Sequence, residues 1–119
     1  MEGQKDPIAV SVQADVRVVE FLVEKLLDEV VISRIGEQLD LLIARDDPPR
    51  LVLDFGNVLY MSSSALGMLI NLHRKIREQH GRMVLCNVRP EIYKVFSITK
   101  LSEVFQIYDS RTTAMAGLA

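Results

Sequence analysis

The sequence predicts an α/β domain: a mixed sheet of about five strands with an N-terminal antiparallel hairpin and about four helices. Three patterns predict it. Two short apolar runs, 51–55 and 83–88, are bounded by breakers and suit strands covered on both faces. Segments with apolar residues at helical spacing lie between such runs. The first stretch of ordered chain, by contrast, alternates with period two. Strands joined through helices run parallel with right-handed crossovers, and the hairpin adds the antiparallel component.

Ile8, Val10 and Val12 alternate with Ala9, Ser11 and Gln13, which gives a half-exposed strand over 8–13. Ala14-Asp15 closes a tight turn without an Asn-Gly signature, and 16–22, rich in β-branched and aromatic residues, forms the second strand. Asp28 is a candidate cap for a helix of about four turns carrying Val31, Ile32, Ile35, Leu39, Leu42 and Ile43, ended by Pro48 and Pro49. The strand 51–55 follows, then a Gly56-Asn57 turn. Ser62-Ser63-Ser64 opens a second helix with Leu66, Leu69, Ile70, His73 and Ile76 on its apolar side, and Gly81 is expected to stop it. The strand 83–88 leads to Pro90 at a first helical position and a short helix over 92–98. A strand over 104–108 and a terminal helix capped by Asp109 or Ser110, running to about 116, complete the chain. The terminal helices are expected to share one face of the sheet with the others.

The chain has 119 residues, enough for one core, and reads as a loose tail over 1–7 and one domain over 8–119. Hydrophobic residues make up 49% and charged ones 25%, which excludes wholesale disorder. Lys+Arg total 14 against Asp+Glu 16, a net charge of −2, so a basic nucleic-acid footprint is not expected. One Cys cannot make an internal disulfide, and with two His it cannot build a His/Cys zinc site. The first residues are polar and acidic, unlike a secretion signal, and no apolar run reaches a membrane span. These features point to a cytoplasmic protein without membrane insertion or cofactor.

In an open sheet of this kind, sites gather at the carboxyl ends of the parallel strands, here 54–61 and 87–89. The serine triplet sits there, between a buried strand and a helix start. Free N–H groups and the helix dipole favour a phosphate at that junction, and a serine hydroxyl there can itself carry one. Plain helix capping is the competing reading. A hydrolase is disfavoured: His73 lies roughly 15 Å up the helix axis, His80 farther, and no G-x-S-x-G elbow is present. Asp54 is expected to end its strand and accept backbone or hydroxyl hydrogen bonds near the serines, with no second acid beside it. Cys86 reads as a small apolar core residue. Arg89 is expected to project from the same sheet edge as the serines.

The run Leu51-Val52-Leu53-Asp54-Phe55, then Val58, Met61, Ser62-Ser63-Ser64-Ala65-Leu66-Gly67, resembles the signature of the STAS domain of bacterial anti-sigma factor antagonists. The block from Gly81 to Pro90, with Val95-Phe96, Leu101 and Phe105, is similar to that family's second half. The resemblance implies a regulatory protein and not an enzyme. Its phosphoacceptor would be Ser63, with Ser62 or Ser64 as alternates, and Asn57, Tyr60, Met61, Ser62, Ser64 and Arg89 would rim the docking face. The implied partner is a serine-kinase anti-sigma factor, with a serine phosphatase restoring the hydroxyl. An accessory subunit of a lipid-type ABC transporter and a scaffold that is never phosphorylated are the alternatives. Two positions depart from the family pattern. Ser62 stands where Asp is usual, and Ala65 where Gly is usual, which implies an ordinary helical residue with a methyl at the docking surface.

Overall fold

A computed structural model describes residues 6–118; the first five residues of the expected tail lie outside them. The hairpin strands β1 (Ile8–Gln13) and β2 (Val16–Phe21) pair antiparallel, Ile8 opposite Phe21 and Gln13 opposite Val16. Both loop residues, Ala14 and Asp15, take positive φ, 51° and 65°. A two-residue hairpin loop whose twist matches the strands requires that geometry, which is why Asn-Gly is its usual sequence. Here an alanine occupies it without the freedom of glycine.

Helix α1 (Glu29–Arg45) is capped by Asp28, whose Oδ1 accepts from the Val30 and Val31 N–H groups at 2.8 and 3.2 Å. It ends before the prolines. Arg17 of β2 holds the capping Asp46 through Nε to Oδ2 at 2.7 Å, and the Asp47–Pro48 bond that follows is cis. Strand β4 (Arg50–Asp54) pairs parallel to β2, and β6 (Arg82–Cys86) parallel to β4. The last strand, β7 (Gln106–Tyr108), pairs parallel to β6, so the five-stranded order is β1-β2-β4-β6-β7. It is shorter than expected because Val104 and Phe105 donate back to the Leu101 carbonyl, closing the 3-10 turn Leu101–Glu103. A second, two-stranded sheet was not anticipated from sequence: β3 (Lys25–Leu26) and β5 (Tyr60–Met61) pair parallel.

Helix α2 (Ser63–Glu78) stops as expected, but not through glycine conformation. His80 takes the left-handed conformation, φ 61°, and donates to the Arg77 carbonyl, while Gly81 N–H reaches back to Ile76 at 2.8 Å. Gly81 is required for space instead. A Cβ there would lie 2.1 Å from the Pro49 carbonyl oxygen. Helix α3 (Pro90–Ile98) starts on its proline as expected. Ser110, not Asp109, begins α4 (Arg111–Leu118): its Oγ accepts from Thr113 N–H, and Thr113 Oγ1 accepts from Ser110 N–H.

The helices do not share one face. Helices α1, α2 and α3 cover a large core that includes Phe21, Phe55, Phe96 and Phe105. Their rings form a chain, with centroids 4.8 Å apart for Phe21–Phe55, 6.1 Å for Phe55–Phe96 and 5.6 Å for Phe96–Phe105. The opposite face buries Val16, Val18, Val52, Val84 and Cys86 under Ala114 and Leu118 of α4. Period-two alternation on buried strands provides apolar residues for both faces, so one further helix is needed behind the sheet.

Candidate functional site

The serine triplet sits at the carboxyl end of β4, reached through the Gly56-Asn57 turn and β5. Ser62 is the N-cap of α2, with extended backbone, and its Oγ accepts from Ala65 N–H at 3.2 Å. Its own N–H donates to Leu26 O at 2.9 Å, stitching the helix start to β3. Serine thus caps the helix without bringing a charge. Ser64 Oγ donates to Glu29 Oε2 at 3.3 Å, tying α2 to the first residue of α1. Ser63, the first helical residue, is exposed, and among the described residues nothing holds its hydroxyl. The first turn of α2 carries no acid of its own, so the positive end of its dipole is uncompensated within the helix.

Ala65 is helical, as expected, but its methyl is not at the surface. The residue is fully buried in the α1–α2–α3 core. Of the expected rim, Tyr60 is exposed and lies under the Lys25 ammonium, 5.9 Å from the ring centroid. Met61 is half-buried against the core. Asn57 is exposed yet tethered: its amide donates to Phe21 O at 2.9 Å and to Glu20 Oε2 at 3.4 Å. Arg89, also exposed, donates from Nε to Gly56 O at 2.8 Å, pinning the loop after β6 to the turn after β4.

Sequence reasoning missed the flank supplied by the start of α1. Leu27 follows β3 directly and Val30 is 72% exposed in the first turn. Strand β3 and the Ser64–Glu29 contact bring both beside the serines. The signal was present as an apolar stretch, Phe21-Leu22-Val23 and Leu26-Leu27, too greasy for a simple loop. A 470 Å³ groove between α1 and α2 opens next to Ser64, lined also by Gly36, Asp40, Met68 and Lys75.

Asp54 faces away from the serine hydroxyls. It accepts from Gly56 N–H at 2.9 Å, from the Asn87 amide at 3.1 Å, and from Arg111 Nε and Nη2 at 3.0 and 2.8 Å. A second acid does stand nearby. Glu20 is its parallel neighbour on β2 and lies 3.7 Å from the same guanidinium. Burial pushes the Asp54 pKa up, but the bonds from Gly56, Asn87 and Arg111, with the Arg111 charge, outweigh it and hold the carboxyl below its ordinary range. The group is a structural clamp on α4. Asn87, with φ 56°, ends β6 there and adds a weak contact to Cys86 Sγ.

His73 packs edge-on to Phe105, centroids 5.5 Å apart, and burial, with the nearby Arg77 charge, lowers its pKa. Cys86 is buried, and its thiol is pushed up to about 12, first by burial and then by Asp54. Both are packing residues. Among the described residues no cluster of His, Cys, Asp and Glu is placed to hold a metal, and no helix is long and apolar enough to cross a membrane.

The five-stranded mixed sheet thus presents the exposed Ser63 at the start of α2, beside the carboxyl end of β4. The chain belongs to the STAS domain family, whose profile matches residues 8–114. It is 28% identical over 92 residues to the anti-sigma F factor antagonist of Paenibacillus polymyxa, covering 77% of this chain and 79% of that one. An anti-sigma-factor antagonist (STAS) domain protein from Planctomyces limnophilus superimposes with a TM-score of 0.80 at 27% identity, covering 94% and 97% of the two chains. The anti-sigma factor antagonist SpoIIAA in its unphosphorylated form shares the fold, with a TM-score of 0.70 at 19% identity over 92% of this chain and 94% of that one.

Proposed function

We propose that this protein is a cytoplasmic anti-sigma factor antagonist whose docking is switched off by phosphorylation of Ser63. The observation that carries the reading is the division of labour among three adjacent hydroxyls: Ser62 caps the helix, Ser64 is engaged by Glu29, and Ser63 is exposed and unengaged. The partner is a serine-kinase anti-sigma factor, and a serine phosphatase resets the switch. The protein itself supplies a substrate hydroxyl and a surface, not a catalytic group. A phosphate at Ser63 adds close to two negative charges beside an apolar flank of Leu27, Val30 and Tyr60. Desolvating that dianion in an interface opposes docking, while the α2 dipole accommodates it in the free protein. In support, SpoIIAA, which shares the fold, is also described in a phosphorylated form.

Incubation with the kinase and ATP, followed by mass spectrometric mapping, is expected to place one phosphate on Ser63 and none on Ser63→Ala. Ser63→Asp is expected to weaken the kinase complex at least about tenfold, roughly 1.4 kcal/mol. Phosphate on Ser62 or Ser64 alone, or equal binding by the Ala and Asp variants, overturns the reading. In the latter case the unphosphorylated scaffold takes its place.

A further inference from the structure

Strand β1 is an open edge of the five-stranded sheet. Leu22 N–H donates to Pro7 O at 2.8 Å, which makes residues 7 and 22 a hydrogen-bonded pair. The alternation of an antiparallel ladder then turns the amides of Ala9, Ser11 and Gln13 toward β2. The N–H and C=O groups of Ile8, Val10 and Val12 therefore point outward, without a backbone partner among the described residues.

Natural edges are blunted by charge, proline, a bulge or short length. The opposite edge, β7, has three residues. Strand β1 has six, Ile-Ala-Val-Ser-Val-Gln, with no charge, no proline and an unbroken register. Its outward residues also share the helix-bearing face, since Ile8 belongs to the core beneath α1 and side chains alternate along a strand. Val10 is 40% and Val12 64% exposed, and Leu41 of α1, across a shallow trough from β1, is 66% exposed.

We propose that β1 pairs antiparallel with β1 of a second copy of this chain, about a two-fold axis at Val10. The strand is self-complementary around that point. Val10 meets its own copy, Ile8 meets Val12, and Ala9 meets Ser11, so β-branched residues face β-branched ones and small face small. All three outward amides and carbonyls of each copy find partners. Charge agrees with the geometry. Asp6, exposed and without an ion pair among the described residues, continues the same face at the start of β1. Arg45, likewise without an ion pair among the described residues, lines the same trough as Asp6 and also the neighbouring hollow beside Val12. The two-fold brings each copy's Asp6 toward the other's Arg45. The result is a ten-stranded sheet continuous across both copies, with neither Ser63 on the paired edge.

Sedimentation equilibrium of the full chain, from micromolar to millimolar concentration, is expected to show a reversible monomer–dimer equilibrium. Val10→Lys and Val10→Glu each place like charges face to face on the axis and are expected to weaken association at least about tenfold. An equimolar mixture of the two is expected to restore the dimer. Should either variant fail to fold by circular dichroism, Val10→Cys replaces it: Cα atoms about 5.5 Å apart in a hydrogen-bonded pair allow a disulfide, so oxidation is expected to give a covalent dimer. A wild-type chain that stays monomeric throughout overturns the proposal. So does a dimer that both charge variants leave unchanged without recovery in the mixture, which would place the contact, or a different partner strand, elsewhere.

Discussion

The two faces of the sheet are held by different physics. The face under α1, α2 and α3 buries long aliphatic side chains and a connected row of four phenylalanines. The face under α4 buries valines, one cysteine, Ala114 and Leu118, and is fastened at its edges by polar groups. Arg111 grips Asp54 at one end of α4, and Arg50 donates to the Leu118 carbonyl at the other. The first face depends on buried area, which pH and salt hardly touch. The second depends on a helix of eight residues, too short to persist without tertiary contacts, and on charges that titrate. The serine site belongs to the first face, so the proposed switch rests on the sturdier half of the molecule.

The largest break in that comparison is expected from Phe55→Ala. It removes the middle of the aromatic row and should cost about 3–5 kcal/mol by denaturant unfolding. Asp54→Ala is expected to cost about 2–3 kcal/mol, less than a fully buried pair would, because Arg111 remains partly exposed. Hydrogen exchange should show the α4 amides opening first. The pH dependence follows from the lowered pKa of Asp54. Its contribution is complete above the unfolded value, about 3.9, and is lost as pH falls through the lower folded value. Asp54→Asn is therefore expected to be less stable than wild type near neutrality and to flatten the acid limb of the stability curve. The smallest effect is expected at the hairpin. Ala14→Gly, at φ 51°, should leave both faces intact and stabilise by about 0.5–1 kcal/mol, read as a raised Tm.

Much of the sheet was legible because each strand carries its own signal, an apolar run between breakers or an alternation. The serine junction was legible for the same reason: capping and sheet topology are local rules. What escaped was set by long-range packing. Lys25–Leu26 and Tyr60–Met61 are too short to carry a period, and each becomes a strand only beside the other. The side of the sheet chosen by α4 was hidden because buried strands look alike on both faces, and it is fixed by contacts far apart in sequence, such as the Asp54–Arg111 pair, 57 residues apart. Gly81 was expected to stop α2, but His80 takes the left-handed conformation there and Gly81 is needed for the space beside Pro49, a contact far away in sequence. Ala65 was read as a surface methyl because one residue of helix phase separates outside from inside.

Helix α2 is fastened at both ends, by Ser62 and β3 at the start and by the turn through His80 and Gly81 against Pro49 at the finish. A sixteen-residue rod so clamped has no slack with which to tilt or unwind when its first residue gains charge. On the proposed reading, information written at that end therefore stays where it is written. It is read by touch from outside, as a key is read by a lock, and not relayed through the interior.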